Sequence, residues 1–269
     1  MLRVLSANVN GVRAAARRGG LDWIAAQQPD VVCLQEVRAG EALLHEALTG
    51  SAFADWQVAH DESTRPGHAG VAVLTREPAL AVRYGVGRRE FVGTGRWVEV
   101  DLATAAGPLT VASTYVHTGH AGTERQATKE RFLAAVGRRM SALRRTGSHV
   151  VVTGDLNVAH TDADLKNWKG NRGKAGCLPS ERAQLDRWTS SRGGYVDVHR
   201  ALAGEGPGPY TWWSWRGQAF DNDAGWRIDY QLATTELASR AVKAEAGRAA
   251  TYAERWSDHA AVVVDYDVP

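Results

Sequence analysis

Short apolar runs that end in a polar residue recur along this chain. Residues 2–8 (LRVLSAN) and 30–36 (DVVCLQE) are the first two, and they flank a helix-compatible stretch at 21–28. Runs of that length and apolarity predict buried strands, and their last residues put Asn8 and Glu36 on one rim. Further strands are predicted at 55–60, 70–76, 96–102, 109–116, 149–157, 227–234 and 259–266. The clearest helix is predicted from Glu124 to about Arg145, where Phe132, Leu133, Val136, Met140 and Leu143 form one stripe and the other faces are charged or polar. Pro179 suits the first position of a second helix, running through Trp188. Many strands, few helices and no clean βαβ alternation predict an α/β fold: a four-layer sandwich of two mixed β-sheets flanked by helices. No repeat, linker or composition break divides residues 1–269, and 204–209 reads as a loop, so a single domain is expected.

Composition narrows the class. An apolar share of 44% and a charged share of 23% over 269 residues exclude collagen-like, disordered and disulfide-dense chains. No stretch approaches the roughly 18 apolar residues a membrane span needs, and the opening apolar run is too short for a signal peptide. A cytoplasmic monomer with no membrane partner is expected. Cys33 and Cys177 fit neither a disulfide framework nor zinc spacing. The net charge of +2 announces no nucleic-acid partner, but its distribution does. Residues 1–21 carry Arg3, Arg13, Arg17 and Arg18 without an acid, and 166–174 carry four basic residues, again without an acid, around Trp168. Of ten tryptophans, five lie between Trp212 and Trp256. Basic stretches interleaved with aromatics suit a phosphate backbone and stacked bases. An ordinary solvated face over core tryptophans is the plainer alternative.

Candidate chemistry concentrates at strand ends. In VVVTGDLNVAH a strand reaches Gly154 and projects Asp155 and Asn157 to the same side of an extended chain. A carboxylate there can take a proton from a water while the amide donates to a developing oxyanion, although the same pair is also a plain Asx turn. Glu36, Asp229, Asp258 and His259 also fall at strand ends. So many oxygen ligands on one rim suit a hard divalent cation such as Mg²⁺, and the lack of a His pair with metal spacing disfavours zinc.

NVNG at 8–11, LQE at 34–36, GDLNVAH at 154–160, WRIDY at 226–230 and SDHAAV at 257–262 resemble, in order and spacing, the exonuclease III family of DNA-repair apurinic/apyrimidinic (AP) endonucleases. DLKNWKGNRGKAGCLPSER (164–182) and YTWWSW (210–215) are similar to that family's DNA-contacting and pocket segments. The resemblance implies Glu36 as principal Mg²⁺ ligand, helped by Asn8 and Asp258, with Mn²⁺ able to substitute. It implies that Asp155 aligns the attacking water and that Asn157 stabilises the pentacovalent phosphate, both beside the metal. His259 would contact the scissile phosphate with Asp229 orienting it, and Tyr115 would supply a phosphate-contacting phenol. Asn171 would position the phosphate from the opposite side, with Lys169 and Arg172 on the backbone. Trp212, Trp226 and Ile228 would wall a pocket for a baseless deoxyribose; plain core packing is the alternative for these three.

Two positions depart from the family pattern: Thr118 stands where many relatives have a phosphate-binding Asn, and position 10 is Asn where animal enzymes have an acid. The implied activity is Mg²⁺-dependent incision 5′ to abasic sites in double-stranded DNA, with 3′→5′ exonuclease and 3′ end cleaning. The alternatives are a paralogue that is mainly a 3′ exonuclease or 3′-phosphatase, and a catalytically dead DNA-binding relative.

Overall fold

The computed structural model describes residues 1–268. Its strands are β1 (Leu2–Asn8), β2 (Val31–Gln35), β3 (Gln57–Asp61), β4 (Val71–Thr75), β5 (Ala81–Tyr84), β6 (Trp97–Thr104), β7 (Gly107–Tyr115), β8 (His149–Asp155), β9 (Tyr195–Asp197), β10 (Asp229–Thr234), β11 (Ala241–Gly247) and β12 (Ala261–Tyr266). They form two six-stranded sheets, ordered β11-β12-β1-β2-β4-β3 and β5-β6-β7-β8-β10-β9. Both are mixed: β1–β2 and β7–β8 run parallel and the other pairs antiparallel.

Period-two alternation explains the layering. In β8, Val151 joins Val4, Cys33, Val98 and Val111 in the core between the sheets. Its neighbours Val150 and Val152 face outward, onto the stripe Phe132, Leu133, Val136, Met140 and Leu143 of the long helix α4 (Glu124–Arg144) and onto α6 (Pro179–Thr189). On the other flank Leu5, Leu34 and Leu74 meet α1 (Val12–Arg17), α2 (Gly20–Ala26) and α3 (Glu41–Leu48). Short helices α5 (Trp168–Asn171), α7 (Val198–Ala203) and α8 (Thr235–Ala238) complete the order. The expected four-layer α/β sandwich and both expected helices are found. The strands β5, β9 and β11 lie outside the expected set, because all three are sheet edges and two of them carry a half-exposed pattern with no apolar run.

Register decides what reaches the rim. Asp155 pairs with Tyr115 on one side and with Asp229 on the other, so three candidate residues stand abreast across β7, β8 and β10. Gly154 makes this possible: at φ 139°, a Cβ there would sit 2.0 Å from the Thr114 carbonyl oxygen. The strand β8 stops at Asp155, two residues short of the expected end. Asn157 is therefore not extended but left-handed (φ 50°), as is Glu36 (φ 49°) just past β2. Non-glycine residues adopt that conformation at a cost of about 1 kcal/mol or more, and such strain gathers at functional sites.

Candidate active site

Five segments meet at the rim. Asn8 ends β1, and its Nδ2 donates to Glu36 Oε1 (3.0 Å) and Asp155 Oδ2 (2.9 Å), bridging the two sheets. The Asp155 carboxylate also accepts from the Asn157 backbone N–H (2.8 Å) and from Asn157 Nδ2 (2.9 Å). The first of these bonds is the plain Asx turn, and it is what brings the Asn157 amide beside Asp155 once the strand has ended. Thr118 donates to Asn157 Oδ1 (3.1 Å), so the residue that departs from the family pattern touches the amide directly.

His259 lies beside Asp229, Nδ1 to Oδ2 being 2.9 Å, and its Nε2 is 3.9 Å from Asp155 Oδ2. Thr211 fixes Asp229 by donating to Oδ2 (2.6 Å). Burial opposes charging of this imidazole, but the Asp229 and Asp155 carboxylates outweigh it and push its pKa up to about 10. His259 is therefore an imidazolium at neutral pH. Burial, with Asp229 and Glu36 close by, raises Asp155 well above the usual carboxylate range against the pull of His259. Burial beside Glu36 and Asp155 likewise keeps the Tyr115 phenol protonated, as a donor.

Glu36, Asp155 and His259 each offer an atom within 4.8 Å of the other two. With His259 held as a cation, the donors left for a metal are carboxylate oxygens, a hard set that fits a divalent cation of the Mg²⁺ or Mn²⁺ kind better than zinc. Asp258 stands on the adjoining wall, outside this trio, accepting from Asn10 Nδ2 (2.7 Å) and Trp212 Nε1 (3.1 Å).

The cluster opens on a pocket of about 300 Å³ lined by Trp212, Trp226, Ile228, Gly176 and Thr118 among others. Trp212 and Trp226 meet edge to face, centroids 6.3 Å apart, and both stay partly exposed, whereas Trp97, Trp188 and Trp213 are core. Isolated bridges join Trp212 to both Trp226 and His259, which locks the wall to that histidine. The buried Arg227 pairs with Asp164 (2.7 Å) and Asp197 (2.8 Å) and so anchors the stretch that carries Trp226, Ile228 and Asp229.

Asn171 closes α5 outside the pocket lining, donating to the Asn167 carbonyl (2.9 Å). Lys169 and Arg172 are exposed over the Trp168 ring. Sequence reading missed the support beneath: the fully buried Lys129 donates to the Asn157 carbonyl (2.7 Å) and pairs with Glu181 (2.5 Å), and Glu181 accepts from the Gly176 N–H (2.7 Å). The signal was present, since Lys129 falls on the stripe one turn before Phe132 and Glu181 one turn before Leu185.

Residues 5–259 match the Endonuclease/Exonuclease/phosphatase family. An exodeoxyribonuclease of Bacillus subtilis is 31% identical over 237 residues, 88% of this chain and 89% of that protein. An AP endonuclease from Archaeoglobus fulgidus superposes with a TM-score of 0.85 at 25% identity, covering 100% of both chains. The 3′ phosphatase NExo from Neisseria, solved with a product DNA hairpin, superposes with a TM-score of 0.86 at 25% identity, covering 99% of this chain and 100% of that one.

Proposed function

Because the chain belongs to the Endonuclease/Exonuclease/phosphatase family and is a nuclease of the exonuclease III type, we propose that it incises duplex DNA 5′ to abasic sites and cleans 3′ ends with bound Mg²⁺. It would work as a monomer in the bacterial cytosol; among the described residues no helix is long and apolar enough to cross a membrane. The observation that carries the reading is the joining of one hydrolytic cluster (Glu36, Asp155, Asn157, Asp229, His259) to a pocket walled by two partly exposed tryptophans.

Glu36 and Asp155 would hold the metal, with Asn8 fixing the spacing between them and Asp258 on the adjoining wall. Bound there, a hard cation supplies charge neutralisation at the scissile phosphate. Asp155, held 3.9 Å from His259 Nε2 and by the Asn157 N–H, would align the attacking water and take its proton. The Tyr115 hydroxyl and the His259 imidazolium donate to the phosphate oxygens as charge builds on them, and Asn157 joins them by releasing one of the two bonds its Nδ2 makes, to Asp155 Oδ2 and to the Val116 carbonyl. Asp229 keeps the imidazolium oriented and charged. Trp212, Trp226 and Ile228 would close on an extruded, baseless sugar. Lys169, Asn171 and Arg172 hold the backbone beside it.

The second reading, a 3′-phosphatase or 3′ exonuclease with weak abasic-site activity, is favoured by Thr118 at the position where many relatives carry an amide. A dead DNA-binding relative is disfavoured by the intact cluster. Assays on an abasic-site duplex, a recessed 3′ end and a 3′-phosphate duplex, with Mg²⁺ and with chelator, separate these readings. Fastest turnover on the abasic site supports the first, fastest on the 3′ phosphate the second, and inactivity on all three overturns both.

A further inference from the structure

Away from the rim, α4 and α6 run side by side, and a cleft of about 810 Å³ opens between their C-terminal halves. It starts beyond Lys129, and Arg144 lies about 22 Å along the helix from that residue at 1.5 Å per residue. Small residues of α4, Ala134, Gly137 and Ser141, form one side of its floor. Its walls carry five exposed arginines, Arg138, Arg144 and Arg145 from α4 and Arg187 and Arg192 from the α6 side. Among the described residues none of the five reaches a carboxylate, whereas their neighbours Arg131, Arg139 and Arg182 each hold one. The nearby Asp186 is turned to His160 instead.

Helix dipoles do not account for the excess. Two C-termini supply about half a negative charge each, roughly one against five, and their effect fades within the last turn. An uncompensated wall of guanidinium forks is suited to bidentate acceptors. Helices pack about 8–10 Å apart, so the cleft between them is one chain wide, and a duplex, whose major groove alone spans about 12 Å, cannot enter. A single strand would need aromatic faces on which to stack its bases. The two aromatics here offer none: Trp188 is 5% exposed with its Nε1 edge against Gly137, and Tyr195 is 2% exposed with its hydroxyl donated to the Met140 carbonyl.

We propose that this cleft is a docking groove for an extended acidic segment of a partner protein, whose carboxylates pair with the arginines of both walls. The site is independent of the hydrolytic reading, and a partner seated there leaves the catalytic pocket open.

Fluorescence anisotropy with a labelled peptide of alternating Glu and Gly, and with its Gln–Gly counterpart, tests the groove on the full chain. Wild type should bind the acidic peptide and not the neutral one. Arg138→Gln with Arg187→Gln should weaken that binding about tenfold or more while affinity for an undamaged duplex changes less than about twofold. Arg138→Lys with Arg187→Lys, which keeps the charge, should retain most of it. Lys169→Gln with Arg172→Gln should do the reverse, weakening duplex binding and sparing the peptide. No peptide binding by wild type, or peptide binding that survives loss of the arginine pair, overturns the proposal. Parallel loss of peptide and duplex in the arginine variant also overturns it, and assigns the groove to nucleic acid.

Discussion

Asp155 accepts three hydrogen bonds of 2.8–2.9 Å, from side chains and backbone of two different sheets. Lys169 and Arg172, by contrast, stand exposed over the ring of Trp168. Both regions serve the same proposed substrate. The rim is buried and cross-linked, so its groups are held in place, and burial with the neighbouring charges shifts Asp155, Tyr115 and His259. The basic segment is exposed and adjustable, so its charges act through a screened field. Substitutions at the rim should therefore change chemistry, and substitutions in the segment should change affinity.

The sharpest test of this contrast is Asp155→Asn. It removes the proton acceptor and turns an NH₂ group toward donors on Asn8 and Asn157. Turnover should fall about a thousandfold or more while duplex affinity holds; a variant with a tenth of wild-type turnover would refute the role. Glu36→Gln should cost less, and differently: activity should recover in part as Mg²⁺ or Mn²⁺ is raised, with weaker Mn²⁺ binding in titrations. A defect indifferent to metal concentration counts against Glu36 as a ligand.

Asp229→Asn tests the charge on His259. The raised pKa means the imidazolium persists from the acid side up to about pH 10. Its contribution to stability is complete below the unfolded value near 6.5 and is lost as pH rises through about 10. Removing Asp229 should draw the alkaline limb of both the activity and the stability profiles toward neutral pH. An alkaline limb that stays where it is in the variant would mean that another group holds the charge.

The pocket wall lies between the two regions in exposure, and Trp226→Ala should show an intermediate pattern. A partly exposed side chain should cost less stability than the about 3–5 kcal/mol of a core tryptophan. Abasic-site incision should drop at least about tenfold relative to 3′-phosphate removal, because an end needs no extruded sugar. Equal loss of both in a folded variant would make Trp226 packing only. The smallest effect is expected in the segment: Lys169→Gln with Arg172→Gln should lower the salt slope of duplex binding by about two and raise KM with kcat nearly intact. An unchanged slope would return these two residues to an ordinary solvated face.

Much of the site could be read before the fold was known, for a definite reason. A strand that ends in a polar residue delivers that residue to the sheet's rim, so local pattern alone brought Asn8, Glu36 and Asp155 to one rim, with Asp229 in a strand beside them, and family resemblance supplied the roles proposed for them. Pattern could not say that β8 stops at Asp155, because the stop depends on an Asx turn to Asn157 and on Gly154 lying under the Thr114 carbonyl. Nor could it reveal Thr211 beneath Asp229 or Lys129 beneath Asn157, partners 18 and 28 residues away in sequence. The stripe of α4 marks Lys129 as inward-facing, but only the packing of α6 against it supplies the partner Glu181. Periodicity is a property of one segment and survives in the sequence. Which buried group answers which, and which arginines are left without a carboxylate, is decided between segments, and there the tertiary structure alone has the answer.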